Sequence, residues 1–187
     1  MKSTAKFGAR SVGPQNPDDG IVEQACQRAL RMIGNGSPLR EILTCLVTAA
    51  ERVAHPGAVS SILLLDKDGL LRNGASPNLP PDYLDAIDRL RPDPAVGTCA
   101  AAAATGSMVI TPDFRADEKW AELRHLPLAL GFLGAWSLPI KSAQDAVLGT
   151  FGTYFRSHRV PTTWEQQAVQ QLAAVAALAL TAPTAAP

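Results

Sequence analysis

Residues Phe132–Phe155 read FLGAWSLPIKSAQDAVLGTFGTYF. Two apolar and aromatic runs, Phe132–Ile140 and Ala146–Phe155, flank the turn-forming stretch Lys141–Asp145. That arrangement predicts two antiparallel strands joined in a hairpin. A second such pair precedes it. In AVSSILLLDKDGLLRNGAS, Ala58–Ser76, β-prone runs flank Asp66-Lys67-Asp68-Gly69, a turn tetrapeptide. The chain therefore carries two hairpins, and what lies around and between them decides how the sheet is covered.

Helical patterns stand at both ends. Ile21–Ile33 is helical in pattern and closed by Gly34-Asn35-Gly36. Ser37 then reads as an N-cap with Pro38 at the first helical position. After it, Leu39, Ile42, Leu43, Leu46, Val47, Ala50 and Val53 recur at the spacing of one helix face. At the other end Thr162 and Glu165 have capping-box spacing, ahead of a helix carrying Val169, Leu172, Ala173, Ala176 and Leu180. Between the hairpins come a short helix in Pro80–Leu90, a loop over Arg91–Thr98 and one or two helical turns over Cys99–Thr105. A strand at Ser107–Thr111 follows, and then a loop running into a helix, with Asp117 as its cap and Leu123, Leu126 and Leu130 on one face. The order predicts an α+β fold: an antiparallel sheet with the terminal helices on one face. The middle segment, including DPAVGTCAAAAATGSMVITPDF (Asp93–Phe114), crosses the other face and leaves a pocket there.

The totals narrow the function classes. A chain of 187 residues suits one domain, read here as 21–182 between a flexible leader at 1–20 and a tail at 183–187. Lys+Arg and Asp+Glu both number 17, a balance that speaks against a nucleic-acid partner or an anionic membrane surface. Cys26, Cys45 and Cys99 form no CxxC pair and have no histidine at ligand spacing, so neither a metal site nor a disulfide framework is expected. His55, His125 and His158 have no partner at catalytic or ligand spacing. The leader has no apolar core of a signal peptide, and the run Leu172–Leu180 is too short to span a bilayer. A cytoplasmic protein is expected.

Four pieces in order resemble the GAF domain, a small-molecule sensing module of bacterial signalling proteins. They are Gly97-Thr98-Cys99, then Asp113 through Asp117 to Trp120, then Gly131-Phe132-Leu133 with Trp136-Ser137-Leu138-Pro139-Ile140, and Leu148-Gly149-Thr150-Phe151. The likeness runs from about Ser37 to Leu180. Two positions depart from the family pattern: Ala100 replaces a glycine after the cysteine, and Ala135 replaces a second cysteine before the tryptophan. The subgroup sharing these motifs is similar to the input domains of histidine kinases and diguanylate cyclases, and to bacterial nitrate receptors. The resemblance implies a sensor of a small molecule or small anion, of the kind found in two-component systems. It further implies a homodimer whose terminal helices pass the signal to a histidine kinase or other partner.

Individual residues keep two readings each. Cys99 is a packing residue, a redox-sensitive pocket residue or, least, a catalyst, as in the related free-methionine-sulfoxide reductases. Trp136 fills the core or gives its indole N–H to a ligand. Trp120 covers the pocket edge, with Asp113 and Asp117 as a lid or merely as caps. Ala75, Ser76 and Leu79 form a pocket wall or a plain connection, and the terminal helices form a dimer contact or simply cover the sheet. The candidate ligand-binding set is Ala75, Ser76, Leu79, Val96, Thr98, Cys99, Ile110, Trp120 and Trp136, with no catalytic residue, metal ligand or cofactor. Only Arg115 and Arg124 stand near enough to serve a phosphate, which disfavours cyclic nucleotides, and the Cys-His neighbours that would hold a bilin are absent.

Overall fold

The computed structural model describes residues 18–54 and 56–182. The reading of His55, the expected tail and most of the expected leader lie outside these residues. Helix α1 spans Asp19–Gly34, starting two residues before the expected Ile21, and α2 spans Leu39–Val53. Strands β1 (Val59–Leu65) and β2 (Leu71–Ala75) form the first hairpin. Next come α3 (Pro81–Ala86), α4 (Cys99–Thr105) and β3 (Val109–Thr111). A 3-10 turn at Glu118–Trp120, α5 (His125–Ala129), β4 (Gly134–Lys141), β5 (Val147–Phe155) and α6 (Thr163–Thr181) complete the chain.

The strands make one five-stranded antiparallel sheet in the order β2-β1-β5-β4-β3. The two predicted hairpins lie side by side through β1 and β5, so the sheet's middle is built from residues about 90 positions apart in pairs such as Ser60–Thr153. In the first turn, the Asp66 carboxylate accepts from the Asp68 and Leu70 N–H groups at 2.9 Å, the local bonding that favours aspartate there.

Helices α2 and α6 pack on one face of the sheet, and α1 lies against both. Leu43, Leu46, Val47 and Leu172 are wholly buried in that layer with Ile62, Ile140 and Phe151 from the strands. Each such side chain contributes roughly 1.5–3 kcal/mol by leaving water. At the start of α6 the capping box forms as predicted: the Thr162 hydroxyl accepts from Glu165 N–H, and the Glu165 carboxylate accepts from Thr162 N–H. Arg159 adds a two-pronged ion pair to the same carboxylate.

Three local expectations need correction. Pro38 is itself the capping residue of α2, with ψ 134°, and its carbonyl accepts from Glu41 and Ile42; Ser37 lies one residue too early. Leu39, expected on the buried face, is 38% exposed because it opens the helix at its edge. The expected single helix after Asp117 is two pieces. Asp117 caps only the 3-10 turn, accepting from Lys119 N–H at 3.0 Å. Pro127 has no N–H to offer the Leu123 carbonyl, which bonds Leu126 instead, so a continuous helix cannot pass through.

Candidate functional site

On the sheet face opposite α2 and α6, the chain from α3 to α5 folds over β1, β5 and β4. Its own side chains form a second core with Leu63, Leu71, Phe114, Phe132 and Tyr154. Inside lies a cavity walled by Leu63 and Tyr154 of the sheet below and by Tyr83, Val96, Thr98, Cys99 and Trp120 above. Its free space is only about 20 Å³, room for roughly one water. The chain's own atoms nearly fill it.

The cover is fastened at both ends. Gly97 adopts φ +52°, a conformation that other residues rarely adopt, and donates its N–H to the Lys119 carbonyl at 2.7 Å. The Trp120 ring stacks over Gly97 and lies 4.3 Å from the Phe114 ring. At the other end, Arg156 donates to the Leu130 carbonyl at 2.7 Å while its guanidinium lies 4.6 Å over Phe132. Asp117 anchors the middle, receiving bonds from the Thr111 hydroxyl and from Lys119 Nζ. Asp113 receives the Arg115 N–H and lies 3.8 Å from His158 at the surface.

The floor is polar. Cys99 Sγ is 2.9 Å from Ser137 Oγ, and Ser137 also donates to the Thr98 hydroxyl at 3.3 Å. Ser61, fully buried beside them, has no hydrogen-bond partner among the described residues. Gly152 makes this crowding possible: a Cβ there would lie 3.0 Å from Cys99 Sγ and 3.2 Å from both Ser137 and Ser61 Oγ. Burial pushes the Cys99 thiol up, and the Ser137 hydrogen bond only partly opposes it. The thiol is thus neutral at pH 7, a poor nucleophile. Tyr83 donates to Tyr154 at 3.0 Å, and burial raises both phenols. Trp120 N–H, also buried, has no acceptor among the described residues.

Of the nine predicted ligand contacts, Val96, Thr98, Cys99 and Trp120 line the cavity. Leu79 belongs to the same core without lining it, and Ser76 donates to the Asn73 side chain. Ala75, Ile110 and Trp136 lie away from this cavity: they pack in or against the helix-side core. The cause is the period of a strand, in which neighbours point to opposite faces. Ser137 faces Cys99, so Trp136 must face the helices. Its indole N–H also lacks a partner among the described residues, in that other layer. Sequence reasoning missed Leu63, Tyr83 and Tyr154 as lining residues. A phenol on a buried strand, as at Tyr154, was the available signal.

The family model described as "GAF domain" matches residues 36–181, and the chain belongs to that family. It is 34% identical over 154 residues to the methyl sulfide methyltransferase-associated sensor of Methanosarcina acetivorans. That match takes in 82% of the chain but 15% of the relative's length. The structure is also similar to fRMsr of Staphylococcus aureus in its reduced form, with TM-score 0.69, 13% identity and coverage of 92% and 100% of the two chains. A GAF domain of an Acinetobacter phosphoenolpyruvate-protein phosphotransferase gives TM-score 0.65 and 14% identity, covering 89% and 94%. At such identities the structural likeness establishes the fold alone. Among the described residues, no helix is long and apolar enough to cross a membrane.

Proposed function

We propose that this chain is a cytoplasmic sensory GAF domain that binds a small ligand rich in hydrogen-bond acceptors, such as a small anion, in the cavity beneath α4. The observation carrying this reading is the buried Trp120 N–H, which has no acceptor among the described residues although Trp120 lines the cavity. A buried donor left unpaired costs about 1–3 kcal/mol, which an accepting ligand would return. The unpartnered Ser61 hydroxyl beside Cys99 points the same way. Because the closed cavity holds no more than a water, the ligand binds by lifting the cover between Asp93 and Leu130. It therefore distinguishes two arrangements, as a signal requires.

Strand β4 is the relay. Ser137 touches α4 through Cys99, while its neighbour Trp136 packs in the α6 layer. Helix α6 contains Glu165 as its single charged residue and leaves Gln167, Gln170, Ala174 and Leu178 exposed. An uncharged outer face suits a homodimer contact, through which the shift reaches a histidine kinase or another signalling partner. No catalytic step is assigned, since the buried thiol is held neutral and Cys26 and Cys45 stand on α1 and α2.

A thermal-shift panel of sodium nitrate, other small oxyanions, amino acids and nucleotides tests the reading. A ligand at a hundred times its Kd raises Tm by about 5–10 °C. Trp120→Phe abolishes that rise. The nearly filled cavity favours one rival, a ligand-free dimerisation module. Unchanged melting across the whole panel would establish the rival and end the sensor proposal.

A further inference from the structure

Among the described residues, a far roomier groove than the cavity beneath α4 lies elsewhere. It runs between α1 and α2 on the helix side and encloses about 720 Å³. Its floor is apolar, with Ala25 and Met32 from α1 and Ala49 from α2. Arg28, Arg40 and Arg52 line it, against one carboxylate, Glu41. None of these three guanidinium groups takes part in an ion pair among the described residues, where the pairs run to Arg72, Lys119, Lys141, His158 and Arg159. In a chain with equal numbers of acidic and basic residues, this is a local excess of positive charge over an apolar floor.

We propose that this groove docks an acidic amphipathic helix of a signalling partner. The lining positions on α2 run from Arg40 to Arg52, about three turns and some 18 Å. A helix laid there buries its apolar stripe on Ala25, Met32 and Ala49, and its flanking carboxylates meet the arginines. The chain's own first 17 residues carry Lys2, Lys6 and Arg10 and no acid, so their charge does not complement the groove. The proposal is independent of ligand binding beneath α4, because its residues belong to α1 and α2 alone.

The probe is a lactam-constrained helical peptide with leucines on one face and glutamates on the other; a lysine version is the control. Binding to the full chain is followed by fluorescence anisotropy. The account expects saturable binding of the acidic peptide, weakening as salt rises, and none of the basic one. Arg28→Glu with Arg52→Glu weakens it at least about tenfold, while the thermal melt confirms that these surface changes leave the fold intact. Met32→Lys, which places a charge in the floor, abolishes binding. The proposal is overturned if the acidic peptide does not bind, or if charge reversal leaves its affinity unchanged. It is equally overturned if charge reversal dissociates a dimer, since the occupant is then a second copy.

Discussion

Gly152→Ala is the sharpest structural test of how α4 seats on the sheet. The added methyl carbon would lie 3.0 Å from Cys99 Sγ and 3.2 Å from the Ser137 and Ser61 hydroxyls. Comfortable separations between heavy atoms are about 3.5–4.0 Å, so the contact is short by roughly half an ångström or more. Gly152 does not have a left-handed backbone, and the cost is therefore steric. Overpacking of this kind costs about 1–3 kcal/mol. For a chain of this size that lowers Tm by about 2–12 °C. Cys99→Ala removes the nearest atom. The double variant should therefore be more stable than the sum of the single losses by about 1 kcal/mol, measured by urea unfolding in a double-mutant cycle. Additive losses, or a Gly152→Ala protein that melts like the wild type, would refute the close seating of Cys99 over Gly152.

Three further outcomes follow from the same packing. Leu172→Ala, at a fully buried site of α6, should cost about 2–5 kcal/mol in chemical denaturation. Burial pushes the Glu165 carboxyl up, but Arg159 and Thr162 outweigh it and hold the group below the usual carboxylate range. Its stabilisation is therefore present above the unfolded value of about 4.3 and fades as pH falls through the folded value. Glu165→Gln should lose about 2 kcal/mol at pH 7, with the gap to wild type closing on acidification. In native protein a thiol reagent should modify the half-buried Cys26 and Cys45 but reach Cys99 only after unfolding; rapid modification of all three would contradict the buried floor.

Much of the architecture was legible because local chemistry and long-range packing agree. The turn at Asp66–Gly69, the capping box at Thr162–Glu165 and the periodic face from Ile42 to Val53 each name their element without reference to the rest of the chain. The site was legible in part. Thr98, Cys99 and Trp120 sit in a segment with no other place to go than across the sheet. Trp136 misled because the first half of β4 is buried on both faces, Gly134 to Ser137 alike. A strand covered on both sides shows no apolar–polar alternation, so the sequence carries no mark of which residue faces which layer. The size of the cavity was likewise unreadable, since it depends on how Trp120, Tyr83 and Tyr154 converge from three separate elements.

The indole N–H of Trp120, followed by heteronuclear NMR while the oxyanion and amino-acid panel is titrated in, addresses the sensor account at its centre. The account predicts that one compound shifts this resonance saturably toward a hydrogen-bonded position, with a smaller change at Trp136 across β4. A Trp120 resonance unmoved by every compound, or one that moves only together with Trp164 on the helix side, would contradict it.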